Sequence, residues 1–162
     1  MSTPSFSIRP ATPDDIPAIL ALIAELADFE KLSHLMSATA EALHDGMFGP
    51  HKACETIVGI EEGELVCYAL FFHNFSTFLA RKGIYLEDLY VKQSRRGRGY
   101  GKALLKALAR IAVERNCGRF EWSVLDWNEA AIRFYEGMGA DVMPDWRICR
   151  VTGDALDTLA ER

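Results

Sequence analysis

The chain has 162 residues, of which 49% are hydrophobic and 25% are charged. This length and apolar fraction suit one compact domain with a buried core, and they argue against a disordered chain. The formal net charge of -5 argues against a protein that binds nucleic acid through a basic face, because such binding needs cations that displace the counterions of the phosphates.

The N-terminal residues have no basic segment followed by an apolar stretch, so no secretory signal is expected. The most apolar early segment, Ile16 to Ala27, contains Pro17 and Glu25 and is too short to span a bilayer. The four cysteines are far apart and the histidines lack the spacing of metal ligands, so no metal site is expected. We therefore predict a cytoplasmic protein with reduced thiols and with no nucleic-acid or membrane partner.

The first half of the chain predicts one short strand, two helices and a hairpin. Thr12 is placed to cap the first helix, and Pro13 takes its first position, where the missing amide hydrogen costs nothing. Apolar residues then repeat at helical spacing as far as Leu26. The predicted elements are a strand at residues 7–9, the helix from Pro13, a second helix over 38–47, and strands over 55–60 and 65–72 joined by a turn at 61–64.

Strands and helices alternate in the second half. Residues 73–82 are either a loop or a continuation of the preceding strand. The other predicted elements are strands over 84–91, 119–125 and 147–151, and helices over 99–115, 128–138 and 154–159. We therefore predict a single mixed α/β domain over residues 1–162, with an antiparallel first half and a βαβ unit in the second.

A basic glycine-rich loop from Arg95 to Lys102 lies between a predicted strand and a predicted helix. Glycines let the backbone approach a phosphate, and the free amides at the start of a helix point at its charge. The P-loop pattern fails, because Arg96 stands in place of its first glycine and Ala103 in place of its Ser/Thr. The dinucleotide pattern G-x-G-x-x-G also fails, because Lys102 stands where its third glycine belongs.

The pattern [RQ]-x-x-G-x-[GA] is complete in Arg96, Gly99 and Gly101. A flexible basic turn without a ligand is the alternative interpretation. We favour a loop that binds a phosphate ligand, because a strand, a basic glycine loop and a helix in this order make a natural anion site.

Two carboxylates, Glu87 and Asp88, interrupt a predicted strand that is apolar on both faces, as an interior strand should be. In a regular strand adjacent residues point to opposite faces, so at most one of the two would line a given pocket. One of them could cap a loop or meet an arginine. We favour the interpretation that Glu87 lines an amine site and helps to remove a proton, because a primary ammonium has a pKa of roughly 10 and must lose a proton before it can act as a nucleophile.

A second pattern, N-x-x-A-x-x-F-Y-x-x-x-G-[FA], is complete from Asn128 to Ala140. Asn128 is a good N-cap for the helix predicted there. Tyr135 could be a core aromatic, which is the commoner fate of a tyrosine on an amphipathic helix. The alternative is that Tyr135 donates a proton to a leaving group.

These two motifs together resemble those of the GCN5-related N-acetyltransferase (GNAT) superfamily. Nearly end to end, the chain is also similar to the diamine and polyamine acetyltransferases, a group that includes the spermidine/spermine N1-acetyltransferases and the thialysine acetyltransferases. The distinctive segments are Glu25–Glu30, Tyr85–Val91 and Trp127–Glu129, with Phe134 and Tyr135. The resemblance implies the GNAT fold, an acetyl-CoA-dependent N-acetyltransferase that needs no metal, and a homodimer.

The resemblance also implies roles for particular residues. Glu87 would be the base, acting through water, and Tyr135 the acid that protonates the CoA thiolate. The cofactor would be held by backbone and side chains of Leu89, Tyr90, Val91, Arg96, Gly97, Arg98, Gly99, Tyr100, Gly101, Lys102 and Asn128. The amine would be bound by Phe29, Glu30, Glu87, Asp88 and Trp122.

The implied reaction is direct transfer in a ternary complex, with a backbone amide near Leu89 steadying the oxyanion. A cysteine acetyl carrier is disfavoured, because no cysteine lies beside a histidine or a helix start in the sequence. Departures from the polyamine enzymes, Phe29 in place of a tyrosine and the short Met143–Asp145 stretch before Trp146, support a diamine or a lysine analogue such as thialysine at least as well as spermidine. A non-catalytic acyl-CoA sensor and a protein or peptide N-acetyltransferase stay open as alternatives.

Overall fold

The computed structural model describes residues 3–161, which fall into two compact units divided between Ser123 and Val124. The first unit holds a sheet and three α-helices, and the second holds two short α-helices. The expectation of one domain over residues 1–162 stays a prediction. No helix within residues 3–161 combines the length and the apolar character needed to cross a membrane.

The first unit is built on a five-stranded sheet in which the strands follow one another in chain order. The strands are β1 (Phe6–Pro10), β2 (Glu55–Glu61), β3 (Glu64–Ser76), β4 (Arg81–Val91) and β5 (Phe120–Trp122), and the helices are α1 (Ile16–Phe29), α2 (Ala40–Phe48) and α3 (Tyr100–Glu114). Neighbours among β1 to β4 are antiparallel, whereas β5 runs parallel to β4. The predicted mixed sheet, with its antiparallel half and its βαβ unit, is confirmed.

Helices cover both faces of this sheet. The core on the α1 side contains Ile19 of α1, Met47 of α2, and Tyr68 and Tyr90 from the sheet. Leu89 and Val91, the neighbours of Tyr90 on β4, instead approach Gly101 of α3. Because successive side chains of a strand point to opposite faces, α3 packs on the face away from α1. The strand β4 therefore lies between two helical layers.

The structure sharpens the boundaries of the long hairpins. Residues 73–82 are mostly strand, since β3 continues to Ser76 and β4 begins at Arg81. The turn between β2 and β3 contains only Glu62 and Gly63, whose φ angles are 49° and 86°. A two-residue turn with two positive φ angles matches the right-handed twist of the flanking strands.

The first helix begins with a 3₁₀ turn over Pro13–Asp15 before α1. The buried carboxylate of Asp15 accepts the backbone amide of Thr12 at 2.7 Å. It also accepts two hydrogen bonds from the guanidinium of Arg9 at 2.7 and 3.0 Å. Asp15 therefore ties β1 to the start of α1.

We expect Asp15→Ala to lower the free energy of unfolding by about 2 kcal/mol, because hydrogen bonds to charged groups contribute roughly 1.5–3 kcal/mol and the Thr12 amide loses its acceptor. Urea denaturation measures this difference, with Asp14→Ala at the exposed neighbouring position as the control. The Arg9 hydrogen bonds lower the pKa of Asp15, so this stability is present above the pKa of an unfolded aspartate, near 3.9, and disappears as the pH falls through the lower folded value. A difference that persisted in full at pH 2 would contradict this account.

The second unit contains α4 (Glu129–Gly137) and α5 (Asp154–Ala160). Asn128 caps α4, as predicted, because its side-chain oxygen accepts the Ala131 amide at 3.3 Å. The strand predicted over Arg147–Val151 is wrong, since residues 140–152 form neither helix nor strand. A strand persists only when a neighbour pairs with its backbone, and β5 is the last strand among the described residues.

Candidate active site

The strand β4 extends well beyond its neighbour β5. Only Ile84, Tyr85 and Leu86 pair with β5, which ends at Trp122, whereas β4 continues to Val91. The edge of residues 87–91 on that side therefore has no partner strand in the described part of the chain. An exposed backbone edge of this kind can hydrogen-bond an extended ligand that carries amides.

The glycine loop begins where this open edge ends. Gly97 and Gly99 have φ angles of 78° and 81°, which glycine adopts without the strain that a side chain would bring. The space that a Cβ would occupy at these two positions is open, and Gly101 packs against Leu89 and Val91 of the edge. The amides of the first turn of α3 thus start beside the edge strand, in a place where an anion can reach them.

Three side chains of the loop converge on one carboxylate, that of Glu61 at the end of β2. It accepts Arg95 Nε and Arg98 Nη1, each at 2.5 Å, and the hydroxyl of Tyr100. Hydrogen bonds from Tyr100, then from Arg98 and Arg95, lower the pKa of Glu61. Part of the basic loop is therefore neutralised within the protein.

Arg96, predicted for the pyrophosphate, lies between two aromatic rings. Its guanidinium carbon is 5.0 Å from the ring centre of Phe29 and 5.2 Å from that of Tyr90, and its Nε donates to the Val91 carbonyl at 3.2 Å. A cavity of about 660 Å³ opens here. Its lining consists of Glu25, Asp28, Phe29, Tyr90, Lys92, Gln93, Ser94 and Arg96. The structure thus brings a residue predicted for the cofactor against one predicted for the amine.

Glu87 occupies a β-bulge. Leu70 of β3 pairs with Asp88 and the next residue, Phe71, pairs with Leu86, so Glu87 has no partner on β3. The expectation that at most one of the two carboxylates lines a given pocket was made for a regular strand, and it stays a prediction here because a bulge redirects the side chains next to it. Glu87 is exposed, whereas Asp88 is half-buried and accepts the Tyr68 hydroxyl at 3.3 Å.

Electrostatics identify an acidic site around Asp88. Burial raises the pKa of Asp88 to about 6, and the charges of Glu87 and Glu30 add to the effect. Burial also raises the pKa of Glu30. Burial and the charges of Asp88 and Glu30 raise the pKa of Tyr68, so its hydroxyl stays protonated as a donor. An ammonium ion at this site would relieve the repulsion among the carboxylates.

Two contributors to the site were missed from the sequence. Tyr68 stands in an apolar strand and gives no local signal, but it is the register partner of Tyr90 and contacts Asp88. Glu61 was predicted only as part of a turn.

Trp122, predicted for the amine, ends β5 with its ring 4.9 Å from that of Phe120.

Asn128 and Tyr135 belong to the second unit, where Asn128 caps α4 and Tyr135 lies within this helix. The ring of Tyr135 lies 5.5 Å from that of Phe134. Their assignment to the cofactor and to proton donation stays a prediction.

Cys67 of β3 is unsuited to act as a thiol nucleophile. Cys67 is fully buried, and burial raises the pKa of its thiol to about 12. The reactive form of cysteine is the thiolate, so Cys67 is inert near neutral pH.

Within residues 3–161, no group of three or more His, Cys, Asp and Glu side chains is placed to hold a metal ion.

Known proteins are similar to this chain in sequence and in fold. The model of the Acetyltransferase (GNAT) family matches residues 20–140. The mouse thialysine N-epsilon-acetyltransferase is 37% identical over 169 residues, which cover 98% of this chain and 99% of that protein. L-ornithine N5-acetyltransferase NATA1 from Arabidopsis thaliana is 36% identical over 197 residues, covering 94% and 86%. An integron cassette protein from the mobile metagenome of V. cholerae has a TM-score of 0.82 at 26% identity, covering 98% and 99% of the two chains.

Proposed function

Since the chain belongs to the GNAT acetyltransferase family and is an acetyl-transferring enzyme, we propose that it moves an acetyl group from acetyl-CoA to a primary amine of a small cationic acceptor. One observation carries this proposal. The open edge of β4 continues at one end into the glycine loop, and at the other end it starts at Glu87 and Asp88. A thioester bound along this edge would therefore meet an amine held by the carboxylates.

The residues present fit acetyl-CoA, which would supply the thioester carbonyl. The backbone groups of Leu89 and Val91 would hydrogen-bond the two amides of the pantetheine arm, since Tyr90, which alternates with them, directs its own groups to β3. The open space at Gly97 and Gly99, together with the first turn of α3, offers amides to the pyrophosphate. Asn128 would add a contact near the pantetheine.

The acceptor would bind as a cation among Glu30, Asp88 and Glu87, against the rings of Phe29 and Trp122. Glu87 takes the proton of the ammonium through a water molecule, and the freed amine attacks the acetyl carbon. A backbone amide near Leu89 stabilises the tetrahedral oxyanion. The carbon–sulfur bond then breaks, and Tyr135 gives its proton to the departing thiolate. The proton that the attacking nitrogen still carries in excess of the amide product is lost to solvent, from which Tyr135 is reprotonated. The transfer is direct and takes place in a ternary complex.

We propose a short acceptor, such as a diamine or a lysine analogue like thialysine. The mouse and plant relatives are named for thialysine and L-ornithine, which both end in a primary amine on a short chain. Thiol release from acetyl-CoA over a panel of these amino acids, diamines, spermidine and basic peptides tests this. We expect the highest kcat/KM with the short amines. CoA binding without release would indicate a sensor, and release with peptides alone would indicate a protein acetyltransferase.

A cytoplasmic homodimer, with neither nucleic acid nor a membrane as a partner, also remains a proposal. Its support is the resemblance to the diamine acetyltransferases and the acidic balance of the chain, with a net charge of -5.

We expect the KM for the amine to fall about 10-fold as the pH rises from 5 to 7. Burial raises the pKa of Asp88 to about 6, so below this pH the carboxyl is neutral and cannot pair with an ammonium ion, whereas above it the charge is present. Initial rates at varied amine and saturating acetyl-CoA measure this profile. Asp88→Asn should flatten it and leave the KM for acetyl-CoA unchanged. An Asp88→Asn enzyme that kept the wild-type pH profile would assign the titration to another group.

A further inference from the structure

We propose that Glu61 is a positioning residue for the cofactor: it holds Arg98 and the start of α3 in the geometry that receives the pyrophosphate, without touching the ligand itself. This inference rests on the proposed use of acetyl-CoA. It concerns a residue of the β2–β3 hairpin, which lies outside the motif that the glycine loop defines.

Glu61 is a buried carboxylate whose two oxygens are both engaged. It is 5% exposed, although it is the last residue of its strand. One oxygen accepts Arg98 Nη1 and the Tyr100 hydroxyl, and the other accepts Arg95 Nε. Arg95 and Arg98 come from the short segment that joins β4 to α3, and Tyr100 is the first residue of α3. A buried charge with this many donors fixes the positions of the groups around it.

Next to Glu61, the sheet also contacts the first residue of α3, Tyr100, through an aromatic ring. The Tyr100 ring stacks on Phe6 with a centroid separation of 3.8 Å and an interplanar angle of 6°. Phe6 of β1 is the register partner of Glu61 on β2. The N-terminus of α3 is therefore attached to the sheet by a hydrogen bond and a ring stack at neighbouring positions, which sets the direction of its free amides.

The pairing also separates the basic residues into two groups. Arg95 bonds Glu61 and lies 3.2 Å from Glu64, and Lys92 lies 2.5 Å from Glu64. These two cations therefore pair with carboxylates of the β2–β3 hairpin. Arg98 contacts Glu61 through one terminal nitrogen while its side chain is 42% exposed, so the guanidinium is anchored at one side and presented to solvent at the other. Such an anchored arginine loses less side-chain entropy when a phosphate binds.

Removing the charge of Glu61 should therefore loosen the pyrophosphate site alone. In Glu61→Gln we expect the KM for acetyl-CoA to rise about 10-fold with kcat unchanged, which corresponds to the loss of about one charge-assisted hydrogen bond. The discriminating substrate is S-acetyl-pantetheine, which carries the same thioester and amides but no pyrophosphate. Its kcat/KM should be the same in the variant and in the wild type.

The matched control is Glu62→Gln, which removes the same charge from the next residue, an exposed one. Glu62→Gln should leave the kinetics with acetyl-CoA and with S-acetyl-pantetheine unchanged. Equal losses with both donors in Glu61→Gln would overturn the inference, because they would mean a general disturbance of the fold. Tighter acetyl-CoA binding in Glu61→Gln would also overturn it, because Glu61 would then be a competitor of the phosphates for Arg98.

Two further measurements keep the inference separate from the proposed function. Calorimetry with CoA and with pantetheine needs no acceptor: a Glu61→Gln defect confined to CoA supports the positioning role even if no amine is acetylated. Absence of CoA binding by the wild type overturns the inference. Should Glu61→Gln fail to fold, Tyr100→Phe removes only the hydroxyl donor, and about a 3-fold loss of CoA affinity with unchanged pantetheine affinity is expected.

Discussion

Replacing Glu87 by Gln should lower kcat about 100-fold at neutral pH and leave the KM for acetyl-CoA unchanged, since a positioned general base typically contributes 10²–10⁴-fold. The glutamine keeps the size of the side chain and cannot take a proton from the ammonium. The loss should shrink as the pH approaches roughly 10, because the acceptor then arrives as a free amine. The measurement is kcat against pH with one amine at saturation.

The bulge at Glu87 gives this prediction its structural basis. An exposed carboxylate that leaves the regular pairing of β4 can reach a solvent water, whereas Asp88, which accepts the Tyr68 hydroxyl, is held in place. Asp88→Asn serves as the matched variant, since it should act mainly on the KM for the amine. Glu87→Gln with a kcat within 2-fold of the wild type across the pH range would remove Glu87 from the mechanism.

Tyr135→Phe should also lower kcat about 100-fold, because the departing thiolate would lose its proton donor. The effect should be seen with an acceptor of ordinary amine pKa and should leave CoA binding unchanged. Tyr85→Phe is the matched control, because it removes a hydroxyl that bonds the Ser123 side chain at 2.8 Å on β5's side of β4. A Tyr135→Phe enzyme with full kcat would show that the assigned acid role is wrong.

Local patterns in the sequence were enough to predict the strand and the helix on either side of the glycine loop. The apolar strand before the loop and the amphipathic helix after it are both confirmed, because each depends on residues close together in the chain. The parallel pairing of β4 with β5 follows from the same short-range order, since a helix between two strands favours a parallel crossover.

Features that depend on distant residues could not be predicted in this way. The bulge at Glu87 exists only in the register with β3, and the bond between Tyr100 and Glu61 joins residues 39 positions apart. The strand expected at Arg147–Val151 fails for the same reason, because strand formation depends on a partner that the segment's own composition does not specify. The family resemblance named Asp88 as a site residue, whereas the rise in its pKa depends on its burial and on the nearby charges of Glu87 and Glu30, which only the folded chain brings together.

The placement of Arg96 between Phe29 and Tyr90 has a thermodynamic consequence. Arg96 lines the cavity beside Phe29 and also belongs to the glycine loop, so a ligand that moved this guanidinium from one of the two places would change the binding free energy at the other. Such coupling is reciprocal: whatever factor acetyl-CoA imposes on the affinity for the amine, the amine imposes on the affinity for acetyl-CoA. In the proposed ternary complex the two substrates would therefore be coupled through a single cation, and the apparent affinity for either one would depend on the concentration of the other.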